Sequence, residues 1–173
     1  MIRDQHRREQ GYRLLMNAYQ EPLYWHIRRI VLTHEDANDV VQNVWIKIFK
    51  NIERFKGDSK LFTWMYKIAT NEALTHIKKI QRKHAVSLDD ENAVIRLLKA
   101  DDYFEGSDIE AQLHAAISKL PEKQKLVFNM RYFDDMSYKE MQKVLGTSIG
   151  ALKASYHHAV KKIEQFIMQS EKT

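Results

Sequence analysis

The sequence contains no cysteine. That excludes a disulfide framework, a thiolate metal site and a cysteine nucleophile. Glycine occurs five times and proline twice in 173 residues, too few for the turns of a β-sandwich, which leaves long helices as the natural build. No run approaches the roughly 18 apolar residues of a membrane span. The opening stretch, MIRDQHRREQGYR, is too polar for the core of a signal peptide, so a cytoplasmic location is expected. Catalytic signatures are missing too. Eight histidines are present, but none falls in an H-E-x-x-H pattern. His157 and His158 are adjacent and point about a third of a turn apart, a poor shared metal site. Glu72 and His76 lie four apart on one helix, a pairing that arises often by chance. There is no phosphate-binding glycine loop and no serine nucleophile elbow. The expectation is a protein with no metal, no cofactor and no catalytic residue.

What is present is an ordinary folded composition, 44% hydrophobic and 29% charged. The length suits one domain or two small ones. The net charge of +5 is unevenly spread. Residues 1–85 carry a net +7, residues 86–110 a net −6 and residues 111–173 a net +4. Two basic blocks joined by an acidic strip read as two modules and a linker. Their field favours a polyanionic partner such as nucleic acid, although many soluble proteins carry a similar charge.

Apolar spacing gives the elements. Leu14, Leu15, Ala18 and Tyr19, then Leu23, Ile27 and Ile30, fit a helix over residues 11–30 that breaks or restarts at Pro22. Ala37, Val40, Val41, Val44 and Ile48 form one stripe of a second helix. Glu35 and Asp36 lie in its first turn and Lys47 and Lys50 near its end, as the helix dipole prefers. Residues 55–60, FKGDSK, interrupt the pattern as a tight loop. A third helix runs through Phe62, Met65, Ile68, Ala69, Ala73 and Ile77. It ends in Lys78, Lys79, Arg82 and Lys83, more positive charge than a helix end needs. Val94, Ile95, Leu97 and Leu98 suggest a short docking helix in the acidic strip.

The second module begins near Ile109. Leu113, Ala116, Ile117 and Leu120 make one stripe. Pro121 suits the first turn of a helix through Val127, Phe128 and Tyr132, and Asp134-Asp135 suit a turn. Ser137 and Glu140 have the spacing of a capping box. The short helix that follows stops at Gly146. Ser148 suits the N-cap of a last helix that buries Leu152, Tyr156, Ala159, Ile163 and Phe166. A short helix, a glycine turn and a longer helix make a helix-turn-helix pattern. Its second helix would enter a major groove. Its outward residues are Gly150, Ala151, Lys153, Ala154, Ser155, His157 and His158, with Ser148 at its start and Lys161 further along as further candidates for DNA contact. The bland alternative is an ordinary helical hairpin.

The stretch LPEKQKLVFNMRYFDDMSYKEMQKVLGTSIGALKASYHHAVKKI resembles the C-terminal domain of the extracytoplasmic-function sigma factors of bacterial RNA polymerase. It shares the Leu-Pro-x-x-x-Lys start, the Ser-Tyr-x-Glu segment and the Gly-x-Ser-x-Gly before the recognition helix. DANDVVQNVWIKIFK is similar to the family's helix that grips the polymerase clamp. FKGDSKLFTWMYKIATNEALTHIKK is similar to its segment that melts and reads the downstream promoter element. Two motifs in family order cover nearly the whole chain.

The resemblance implies an all-α chain of two small helical domains joined by a flexible linker. Residues 1–85 would bind polymerase and melt promoter DNA. Residues 86–108 would be the acidic linker, and residues 109–173 would read the upstream element by helix-turn-helix. Polymerase contact falls to Asp36, Asp39, Gln42, Asn43 and Lys47, a face that otherwise reads as simply solvated. The 55–60 loop would accept an unpaired base through Lys56, Gly57, Asp58 and Ser59. Asn71 would lie beside that base, and Lys67, Lys78, Lys79 and Arg82 along the phosphates. Trp64 and Tyr66 cannot share one helix face, and the family places the tryptophan inside, so Trp64 is expected to be mainly structural. Asp89, Asp90 and Glu91 of the linker would mimic nucleic acid in a basic polymerase channel.

Partners implied are the polymerase core, promoter DNA and an anti-sigma factor. The chain departs from the family at Ala151, where threonine is usual, and at Thr70, Ser155 and His158, where arginine is common. Fewer arginines mean fewer bidentate contacts to guanine or phosphate. The competing reading is a stand-alone helix-turn-helix regulator. It leaves the clamp-like motif unexplained.

Overall fold

The computed structural model describes residues 5–31, 33–84 and 108–170. The acidic strip, with Asp89, Asp90, Glu91 and the short helix expected around Leu97, lies outside the described residues. Seven α-helices and one 3-10 turn are described. They are α1 (Gln5–Val31), α2 (His34–Asn51), the 3-10 turn (Ile52–Arg54), α3 (Leu61–His84), α4 (Asp108–Ser118), α5 (Glu122–Tyr132), α6 (Tyr138–Leu145) and α7 (Ile149–Ser170).

Local chemistry sets several helix ends. The Thr33 side chain accepts from the Asp36 N–H at 3.2 Å and so caps α2. Ser137 and Glu140 form the expected capping box at the start of α6. Gly146 ends α6 in the left-handed region, φ 65°, where a side chain is strained. The Ser148 hydroxyl accepts from the Ala151 N–H at 3.3 Å and caps α7. Pro121 sits at the cap of α5, one residue ahead of its expected place.

The break expected at Pro22 does not occur. α1 runs through it without interruption, with Pro22 on the exposed face. A proline here removes one backbone hydrogen bond and crowds the preceding turn. Burial of Leu23, Ile27 and Ile30 on the opposite face outweighs that local cost.

α1, α2 and α3 pack pairwise around Leu23, Ile27, Val40, Val44, Ile48, Met65, Ala69 and Ala73. A separate core joins α4, α5 and α7 through Ala116, Ile117, Leu120, Phe128, Ala159 and Ile163. The two-domain reading therefore holds, but the domains are not apart. Leu126, Val127, Met130, Met136, Met141 and Val144, all from the C-terminal half, belong to the same buried cluster as α1–α3. Helix α5 lies between the two cores, so Leu126 through Met130 are buried without a gap. A helix buried on more than one face loses its single apolar stripe.

Candidate nucleic-acid and protein interfaces

The outer face of α2 is built by spacing. Asp39, Gln42 and Asn43 are exposed on it, and Ile46, 50% exposed, lies among them. An exposed isoleucine between polar residues suits a protein partner better than water. Sequence reasoning missed it, although its three- and four-residue spacing from Asn43 and Gln42 was visible. Asp36 has an internal task. Its carboxylate accepts from His76 Nε2 at 2.7 Å and from the Thr33 hydroxyl at 2.5 Å, which ties α2 to α3. Lys47 pairs with Glu72 of α3.

The 55–60 loop joins the 3-10 turn to α3. Gly57 takes φ 81° there, a conformation that favours glycine. Lys56, Gly57 and Asp58 are exposed and Ser59 is half-buried. Phe55 lies 5.3 Å from Trp64, centre to centre. Beside them Lys47, Asn51, Arg54, Trp64 and Ile68 line an open cavity of about 290 Å³. Trp64 is half-buried: it packs against the N-terminal core and also lines this cavity. Tyr66 takes the core place, 2% exposed. It falls on the stripe of Phe62, Ala69 and Ala73, and Trp64 falls at its edge.

Asn51 and Arg54 were not expected in a site. The signal was their distance from Lys47, four and seven residues, which returns to one helix face next to the loop. Along α3, Lys67, Asn71, Lys78 and Arg82 are exposed and share a sector about 60° wide. Lys79 is exposed to one side of it.

At the other end, Ser148, Gly150, Lys153, His157, His158 and Lys161 are exposed on α7, and Ala151 and Ser155 are half-buried at the edge of that face. A Cβ added at Gly150 would meet nothing within 4 Å. The rings of His157 and His158 are 6.0 Å apart. Among the described residues no cluster of three metal-ligating side chains occurs.

Residues 15–83 match the family described as sigma-70 region 2, and residues 110–163 match sigma-70 region 4. The RNA polymerase sigma-H factor of Pseudomonas aeruginosa is 26% identical over 166 residues, 91% of this chain and 86% of that protein. The ECF sigma factor SigW of Bacillus subtilis is 27% identical over 154 residues, 83% of this chain and 81% of that protein.

The chain belongs to the extracytoplasmic-function sigma factors.

This is a family of binding proteins rather than enzymes. The fold of this sigma factor is shared with solved relatives. The sigma factor RpoE in complex with the anti-sigma factor NepR, from Bartonella quintana, superposes with a TM-score of 0.73 at 18% identity, over 91% of this chain and 97% of that one. CnrH in complex with the cytosolic domain of CnrY gives 0.69 at 18% identity, over 93% and 90%. Among the described residues of the sigma factor, no helix is long and apolar enough to cross a membrane.

Proposed function

We propose that this sigma factor works in the cytoplasm and directs RNA polymerase core to promoters with two separately read elements. Residues 1–85 carry core binding and strand opening, residues 86–108 the linker, and residues 109–173 the upstream reading. The observation that carries this division is the pairing of an exposed basic recognition face on α7 with an aromatic-lined basic cavity beside the 55–60 loop. The first suits duplex DNA, the second an unpaired base.

Core binding falls to Asp39, Gln42, Asn43 and Ile46 of α2, with Asp36 holding that helix in place. In the N-terminal domain an unpaired base enters the cavity beside Trp64. Lys47, Asn51 and Arg54 supply its polar walls, and Lys56, Gly57, Asp58, Ser59 and Asn71 form its approach. Unstacking a base costs a few kcal/mol. Stacking on an aromatic side chain returns about 1–3 kcal/mol per base. Capture of that base therefore offsets part of the cost of opening without nucleotide hydrolysis. Lys67, Lys78, Lys79 and Arg82 follow the strand's phosphates. On α7, Gly150 and Ala151 admit the backbone to the groove, Ser155, His157 and His158 face base edges, and Lys153 and Lys161 neutralise phosphates. Both solved relatives are complexes with a named anti-sigma factor or a cytosolic partner domain, and we extend an anti-sigma partner to this chain.

The test is transcription by purified bacterial core on a genomic promoter library, with and without the protein. Discrete start sites that share two upstream elements at fixed spacing are expected. No stimulation together with no core binding would overturn the assignment.

A further inference from the structure

One aromatic ring beside the recognition helix carries two positive charges. Tyr138 is the first residue of α6, and the capping box of Ser137 and Glu140 fixes its backbone. Its ring is half-buried and packs against residues of the larger core cluster. The Arg131 guanidinium, from α5, lies 5.7 Å from the ring centre, and the Lys153 ammonium, from α7, lies 5.9 Å from it. A cation within about 6 Å of a ring centre is attracted by the negative face of the ring. Three helices, α5, α6 and α7, therefore meet at this one side chain.

The two cations are held differently. Arg131 also donates to the Asp135 carboxylate at 3.1 Å and to the Met136 carbonyl at 3.3 Å, so the turn after α5 keeps it in place without the ring. Lys153 is exposed, and a lysine ammonium is a compact point charge on a flexible stem. An acidic neighbour could fix such a side chain, but it would cancel the charge. An aromatic face fixes it and leaves the charge available to an anion. Arg131 on the same ring adds to the positive field there, and on duplex DNA the anion that meets this field is a phosphate.

We propose that Tyr138 is a positioning residue for promoter reading. Its ring holds Lys153 against one phosphate of the upstream element, and that contact sets the register in which Ser155, His157 and His158 meet the bases. The inference rests on the reading of α7 as the recognition helix. Phosphate contacts carry no sequence information themselves, but they fix where the base-facing side chains fall. Lys153 is the fifth residue of α7, and the N-terminal part of a recognition helix is the part that reaches base edges. A free lysine there could reach any of several phosphates. A lysine held on a ring selects one, and the side chains that follow it on the helix are aligned with it.

The test uses the polymerase holoenzyme on a promoter fragment, and the free full-length chain in solution. Lys153→Ala should weaken promoter binding and lower the slope of log affinity against log salt by about 0.9, the loss of one phosphate contact. Tyr138→Leu should weaken binding by about two- to fivefold with the slope unchanged, because it removes the position and not the charge. Tyr138→Phe keeps the ring and should restore binding. Fluorinated phenylalanines at the same position keep the shape of the ring and withdraw charge from its face. Affinity should fall stepwise with each added fluorine, and the same series in Lys153→Ala protein should be flat. In the free chain the ε-methylene protons of Lys153 should lie upfield of those of other exposed lysines, through the ring current of Tyr138, and should return to the common position in Tyr138→Leu. Affinity that ignores fluorination, or that falls with it equally in Lys153→Ala protein, overturns the proposal, as does an unshifted Lys153. If wild-type holoenzyme selects no promoter, the promoter assignment fails instead. The shift in the free chain then still decides whether Tyr138 holds Lys153.

Discussion

Glu140 is one side chain with two structural tasks, and its titration links them. It accepts from the Ser137 backbone N–H at 2.9 Å, which completes the cap of α6, and from Lys60 of the other domain. Hydrogen bonds from Lys60 and then Ser137 hold its carboxyl well below the usual range, at about 2. The same pair pushes the Lys60 ammonium up. A carboxylate with a depressed folded pKa stabilises the fold fully above its unfolded value, near 4.5. That contribution is lost as pH falls from there towards 2. Glutamine keeps a cap acceptor but has no charge to lose. Thermal melts of the wild type should therefore fall more steeply between pH 4.5 and pH 2 than those of Glu140→Gln. At pH 7 the variant should be less stable by about 1 kcal/mol or less. Parallel acid profiles would show that Glu140 is not the group concerned.

At the scale of the helix, local signals and tertiary packing had different success. Ser137 with Glu140, Gly146 and Ser148 were legible as caps because capping is decided within four residues. At Gly146 nothing lies within 4 Å of an added Cβ, so Gly146→Ala isolates the cost of a positive φ. A loss of about 1 kcal/mol is expected in urea denaturation, with an unchanged m-value. Pro22 was misread because its effect is local while its compensation is not. Burial of Leu23, Ile27 and Ile30 keeps α1 continuous, which the chain before Pro22 does not reveal. Pro22→Ala should restore a backbone donor on an exposed face and raise stability by roughly 1–3 kcal/mol. A loss of stability would mean that the proline ring itself makes a needed contact. Helix α5 was placed correctly, but its second buried face was not foreseen. A stripe analysis assumes one apolar face, and the apolar run Leu126-Val127-Phe128 with Met130 close behind was the sign that two are covered.

For the molecule as a whole, the order of the modules and the exposed face of α7 were legible, since each follows from a pattern along one segment. The cavity was only half legible. The loop was found by its glycine and its charges, but Lys47, Asn51 and Arg54 come from the end of the preceding helix and meet Trp64 only after α2 and α3 pack. Domain contact left the weakest trace, because apolar residues of α5 and α6 look the same whether they face their own domain or another. That contact has a thermodynamic consequence. Met130 is fully buried in the cluster shared with α1–α3, whereas Ile163 lies in the core of the C-terminal domain alone. Because the two domains share a buried cluster, calorimetry of the full chain should show one transition, with equal calorimetric and van't Hoff enthalpies. Met130→Ala should cost about 2–5 kcal/mol. At roughly 2–4 °C per kcal/mol for a chain of this size, the whole transition should fall by about 4–20 °C. Ile163→Ala should move that same transition, since a shared core makes the C-terminal domain unfold with its neighbour. Two resolved steps, of which either substitution moves only one, would mean that the domains are energetically independent despite the shared cluster.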